Sequence, residues 1–205
     1  MDEIILKSHS EEVRQLVFIF HGYGSNKDDL VTVGEAFSKV SPDSEIHLPN
    51  GIEKCDEGVG YQWFPLVGED IKQWDRAFEE KAGKLISYID GVLADKKLKY
   101  ENVVLAGFSQ GAMLSLSLGL QLGVKAVIAF SGLLLSPERC IRKKNTKVLL
   151  THGIQDDVIP ISAMHLTESA LKNSGIEVRT AVSANLGHGI DDYILSRSVD
   201  FLKSL

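Results

Sequence analysis

Three kinds of side chain suited to acyl transfer stand in order along this chain: Ser109, then the adjacent Asp156 and Asp157, then His188. A serine hydroxyl is a weak nucleophile until a base takes its proton, and an imidazole acts as that base best when a carboxylate fixes its tautomer. Ser109 has the strongest local case. It lies in Gly107-Phe108-Ser109-Gln110-Gly111, between the apolar run Val103-Val104-Leu105-Ala106 and the Leu-, Met- and Ala-rich segment from Ala112 to Leu122. This reads as strand, sharp turn, helix. The flanking glycines let strand and helix approach without a Cβ collision, and the free N–H groups at a helix N-terminus favour developing negative charge. A lone Gly-x-Ser-x-Gly arises by chance in many chains; the strand and helix around this one give it meaning.

The other elements must bring acid and base to this turn. Leu16-Val17-Phe18-Ile19-Phe20 is a continuous apolar run, as in strands buried on both faces, and Ile4-Ile5-Leu6 reads as a short edge strand. The first run leads into the glycine-rich turn His21-Gly22-Tyr23-Gly24 and a helix over about Leu30 to Val40. Glu45 to Leu48 is a further short strand, and Pro49 to Gly68, without periodicity, a long loop. The aromatic cluster Tyr61-Gln62-Trp63-Phe64-Pro65 at its centre is costly to leave in water, so the loop is expected to fold onto the body. Ile71, Trp74, Phe78, Ala82, Leu85, Ile86, Ile89 and Leu93 recur at helical spacing and predict a long amphipathic helix.

Buried strands are expected at Val124 to Phe130 and Thr146 to Thr151, a helix from Pro160 to about Asn173, an edge strand from Ile176 to Val182, and a last helix after Gly189. Strands alternating with helices in this way imply an α/β fold: a mostly parallel sheet covered on both faces. In such sheets ligands bind at the carboxyl ends of the strands. Ser109, Asp156 with Asp157, and His188 all leave such ends, as do His21 and His152. The histidines form no His-x-x-x-His or comparable ligand pair, and a metal site would leave the serine unexplained, so no metal or cofactor is expected.

At 205 residues and 44% hydrophobic content the chain suits one domain, residues 1–205, with no repeat or linker. The net charge of -6 is dispersed, and the basic clusters Lys96-Lys97-Leu98-Lys99 and Arg139 to Lys147 lack interleaved aromatics, which argues against nucleic acid as a partner. The start is acidic where a secretory signal is basic, and no apolar run approaches the roughly 18 residues of a membrane span. A cytoplasmic protein without integral membrane association is expected. Cys55 and Cys140 are far apart and are expected to be reduced.

Five segments together resemble the phospholipase/carboxylesterase family of α/β-hydrolases, which includes acyl-protein thioesterases and small carboxylesterases. They are Phe20-His21-Gly22-Tyr23-Gly24, Gln62-Trp63-Phe64, Gly107 to Gly111, His152-Gly153-Ile154-Gln155-Asp156-Asp157-Val158-Ile159-Pro160, and Gly187-His188. The resemblance runs from about Leu16 to Leu202. It implies a single-domain α/β-hydrolase without a large cap, with Ser109 as nucleophile, His188 as base and Asp156 as orienting acid. Physical reasoning alone leaves Asp156 and Asp157 equivalent; the family pattern selects Asp156. The backbone N–H groups of Tyr23 and Gln110 are the expected oxyanion donors, and side-chain changes there are expected to do little. His21 and His152 are expected to hold the loops that carry Tyr23 and Asp156.

Trp63, Phe64 and Leu66 are candidate walls for an acyl chain, with an equal case that Trp63 and Phe64 only anchor their loop. The expected substrate is a small-molecule ester or an acylated compound with a short to medium acyl chain. A lysophospholipase working at membrane surfaces and a non-catalytic binding protein on the same fold are the alternatives. An open apolar rim also leaves room for a homodimer.

Overall fold

The computed structural model describes residues 1–55, 58–66, 68, 70–141 and 145–205. Asp56, Glu57 and Val67 of the expected loop, and Arg142, Lys143 and Lys144 of the second basic cluster, lie outside the described residues. In chain order the elements are β1 (Glu3–Leu6), β2 (Gln15–Phe20), α1 (Val31–Val40), β3 (Ser44–Pro49), β4 (Glu53–Lys54), β5 (Tyr61–Gln62), α2 (Ile71–Lys96) and β6 (Val103–Phe108). They continue with α3 (Gln110–Leu122), β7 (Ala126–Phe130), α4 (Pro137–Cys140), β8 (Lys147–Gly153), α5 (Ile161–Asn173), β9 (Val178–Ser183) and α6 (Asp192–Lys203).

Seven strands form one sheet in the order β1-β3-β2-β6-β7-β8-β9, parallel throughout except for β1, which pairs antiparallel with β3. The β2 run is continuously apolar because the sheet is covered on both sides. Leu16, Phe18 and Phe20 pack with residues of α2, α3 and α5, while Val17 and Ile19 pack with α1 and α6. The same alternation divides Val103 and Leu105 from Val104 and Ala106 on β6. In α2 the inward stripe is Phe78, Ala82, Leu85, Ile89 and Leu93, and Asp70 caps the helix by accepting from the Lys72 N–H.

Two boundaries depart from expectation. His152 and Gly153 belong to β8 rather than to a turn after Thr151, because β9 runs alongside and pairs His152 with Val182 and Gly153 with Ser183. The segment after β3 is not wholly irregular: β4 and β5 form a small antiparallel ribbon, Glu53 opposite Gln62 and Lys54 opposite Tyr61. A two-residue strand has no readable period, so close backbone approach decides the pairing. A Cβ at Gly51 would lie 2.6 Å from the Gln62 carbonyl oxygen.

Candidate active site

Ser109 joins β6 to α3 with φ 54 and ψ -114, a strained backbone for a residue with a Cβ. Packing on every side holds it there. A Cβ at Gly107 would fall 2.3 Å from the Gly111 carbonyl, and one at Gly111 would fall 2.0 Å from the Phe20 carbonyl oxygen and 2.7 Å from that of His21. The Ser109 N–H donates to the Phe130 carbonyl (2.9 Å), tying the turn to the next strand. Gly111→Ala is therefore expected to cost about 3 kcal/mol, the upper end of ordinary overpacking. The check is a lower urea midpoint at unchanged slope.

Asp156 and His188 meet directly. His188 Nδ1 donates to Asp156 Oδ2 (2.8 Å), and since an ionised carboxylate only accepts, this bond leaves Nε2 as the ring nitrogen not committed to the carboxylate. Asp156 Oδ1 accepts from the N–H groups of Val158 (3.0 Å) and Ile159 (2.8 Å), and its side chain is fully buried. Burial pushes its pKa upward, but the His188 bond, the Ile159 N–H, the His188 charge and the Val158 N–H together outweigh burial and hold it below the usual carboxylate value. His152 closes the loop: its Nε2 donates to the Ile159 carbonyl (2.7 Å) and lies 3.3 Å from Asp156 Oδ2. Asp157 is exposed and takes no part in this arrangement.

Ser109 is half-buried, and its neighbour Phe108 packs on the His188 ring with centroids 4.7 Å apart. Among the described residues no direct hydrogen bond joins Ser109 Oγ to His188, and the imidazole packs instead on Phe108, the residue before Ser109. Such bonds commonly tighten only with substrate present.

The turn carrying Tyr23 runs beside the serine, since a Cβ at Gly22 would lie 3.5 Å from that of Ser109. The turn is pinned from several directions. The Ser25 N–H donates to Gly22 O (3.2 Å) and the Gly24 N–H to Tyr61 O (3.0 Å). His21 Nδ1 donates to Gly22 O (2.7 Å), while its Nε2 accepts from the Gly51 N–H (2.9 Å). Burial lowers the pKa of His21, which suits a neutral ring with one donor and one acceptor. Gln110 is the first residue of α3, where an N–H has no acceptor within its own helix.

The Gln110 side chain corrects the expectation that its substitution would do little. It is fully buried, accepts from the Trp63 N–H at Oε1 (3.0 Å) and donates from Nε2 to the Phe64 carbonyl (2.7 Å). Gln110→Ala is expected to cost about 3 kcal/mol, because each buried backbone group left unpaired costs roughly 1–3 kcal/mol. Faster hydrogen exchange at the Trp63 amide is the measurement. The only sequence signal for this role was a glutamine standing at the head of an otherwise apolar helical segment.

Trp63 and Phe64 are both at 0% exposure, so neither is a wall for an acyl chain. Trp63 Nε1 donates to the His21 carbonyl (2.8 Å) and its ring meets Phe20 edge-on, while Phe64 meets Phe78 edge-on. They are anchors, because large rings between loop and sheet bury more area inward than a groove would leave them. Leu66 is half-buried and packs on the same core.

The parallel sheet, the strained serine turn and the loop-borne Asp156–His188 pair define an α/β-hydrolase. The sequence matches the phospholipase/carboxylesterase family over residues 1–205, and the chain belongs to that family. It is similar to esterase YpfH of Escherichia coli (strain K12), 30% identical over 210 residues, 98% of this chain and 88% of the relative. It is 26% identical over 179 residues to acyl-protein thioesterase 1 of Saccharomyces cerevisiae, 78% of each chain. The crystal structure of esterase PE8 shares its fold with a TM-score of 0.91 at 34% identity, covering 98% of this chain and 97% of that one.

Proposed function

We propose that Ser109, His188 and Asp156 hydrolyse carboxylic esters or thioesters of short to medium acyl chains by two-step acyl transfer. The chain is an ester or thioester hydrolase, as its family is; the roles of the residues are our reading. His188 takes the Ser109 proton as the hydroxyl attacks the acyl carbonyl, and Asp156 holds the tautomer and stabilises the imidazolium. The backbone N–H groups of Tyr23 and Gln110 receive the oxyanion. Water activated by the same imidazole then releases the acid. The observation that carries this reading is the 2.8 Å bond from His188 Nδ1 to Asp156 beside the strained Ser109 turn.

For the acyl chain, a small apolar groove of about 110 Å3 between Ile71, Leu133, Leu134, Ala163 and Leu166 supports the short to medium range. Its Leu133 follows Gly132, where a Cβ would lie 3.2 Å from the Ser109 carbonyl oxygen. No helix among the described residues is long and apolar enough to cross a membrane. The test is labelling by a fluorophosphonate probe. The wild type is expected to label and Ser109→Ala to remain unlabelled; an unlabelled wild type would remove the serine mechanism.

A further inference from the structure

The catalytic reading above leaves open where the leaving group goes, and the present inference rests on that reading. Acylation forms a bond from Ser109 Oγ to the acyl carbon and breaks the bond to the alcohol oxygen or thiol sulfur, which departs with a proton from His188. Because Nδ1 is committed to Asp156, that proton comes from Nε2, over about 3 Å. Whatever hangs from the departing atom therefore lies against the His188 ring.

A cavity of about 370 Å3 stands there, between the starts of α1 and α6. Phe108 and His188 line it, and Leu30, Val33, Ile190 and Leu195 give it apolar walls. Neither the oxyanion turns nor the Leu133–Leu134 side of the site contributes to it. It thus shares the imidazole with the site and no residue with the acyl groove. We infer that this cavity is the leaving-group pocket and that it selects an apolar alcohol or thiol without negative charge.

The charge selection follows from the remaining lining. Asp29, Asp191 and Asp192 line the cavity and, among the described residues, no lysine or arginine does. Asp191 caps α6 through the Ile194 N–H and accepts from the Ser183 hydroxyl; these bonds hold its pKa below the usual value and the group ionised. Asp29 and Asp192 are exposed beside it. Low-dielectric walls focus the field of such carboxylates into the cavity. A phosphate-bearing leaving group meets that field with no cation to offset it.

The test keeps the acyl group constant as butyryl. Thr32→Trp and Leu195→Trp, two independent ways to fill the cavity, are expected to lower the kcat/KM ratio of 3,3-dimethylbutyl butyrate over methyl butyrate at least tenfold. The wild type is expected to prefer the S-butyryl thioester of N-acetylcysteamine over butyryl-coenzyme A, which carries phosphates on the same thiol arm, at least tenfold. That preference should shrink in the Asp29→Asn/Asp192→Asn double variant at low salt. An unchanged ester ratio in both tryptophan variants overturns the pocket, and equal thioester rates, or a preference untouched by the double variant, overturn the charge selection. Failure of the catalytic reading itself shows separately, as methyl butyrate hydrolysis that survives Ser109→Ala.

Discussion

Ser109→Ala is expected to lower kcat for a nitrophenyl ester by on the order of a millionfold, the scale seen when the nucleophile of a serine hydrolase is removed. What survives is the contribution of the oxyanion donors and of binding, which do not need the hydroxyl. Folding should be nearly untouched. Ser109 Oγ has no hydrogen-bond partner among the described residues, so its removal leaves no buried group unpaired, and an alanine inherits the same backbone with φ 54. Thermal unfolding should therefore move by an amount typical of neutral substitutions, about 0.5 kcal/mol or less. Full activity in the variant would assign the chemistry to another group.

Asp156→Asn should lower kcat about ten-thousandfold, while Asp157→Asn should stay near wild type. The physical reason lies in which proton each group tolerates. An asparagine at 156 can still accept from Val158 and Ile159 at Oδ1, so the loop keeps its shape. Its amide nitrogen then faces His188 Nδ1 as a donor, which drives the ring proton to Nε2, where the base must be empty. Loss of the correct tautomer with geometry intact costs about that factor in a serine protease. Asp157 is exposed and bonds to none of these groups. Paired pre-steady-state kinetics of the two variants decide the matter, and equal losses would show that the loop responds as a unit.

The parts of the site that were legible in the sequence are those whose chemistry is local. Gly107 to Gly111 declares a strand-turn-helix through its residue types and the runs on either side of it; a Cβ at Gly107 would collide with backbone only four residues on, whereas the need for Gly111 arises from the Phe20 and His21 carbonyls at the end of the neighbouring strand. Likewise the unbroken apolar run of β2 could only be a strand covered on both faces, and both cores are found. The roles of Gln110, Trp63 and Phe64 were harder to read. Each depends on a partner 46 or 47 positions distant, Gln110 to Phe64 and to Trp63, and side-chain type does not reveal whether an aromatic faces a ligand or the sheet.

The order of serine, acid and histidine, the alternation of strand and helix, and the glycines of the turn were determined by the sequence itself, because periodicity and turn sterics act over a few residues. The family pattern selected Asp156 over Asp157, but the physical reason for that choice came only with the tertiary structure. Two adjacent carboxylates are equivalent until β8 and β9 pair, His152 ties down the far end of the loop, and one of the two is turned inward to meet His188. The cavity between α1 and α6 belongs to the same class of fact: Asp29 and Asp192 are 163 residues apart in sequence, and packing of two helices on one face of the sheet makes them neighbours.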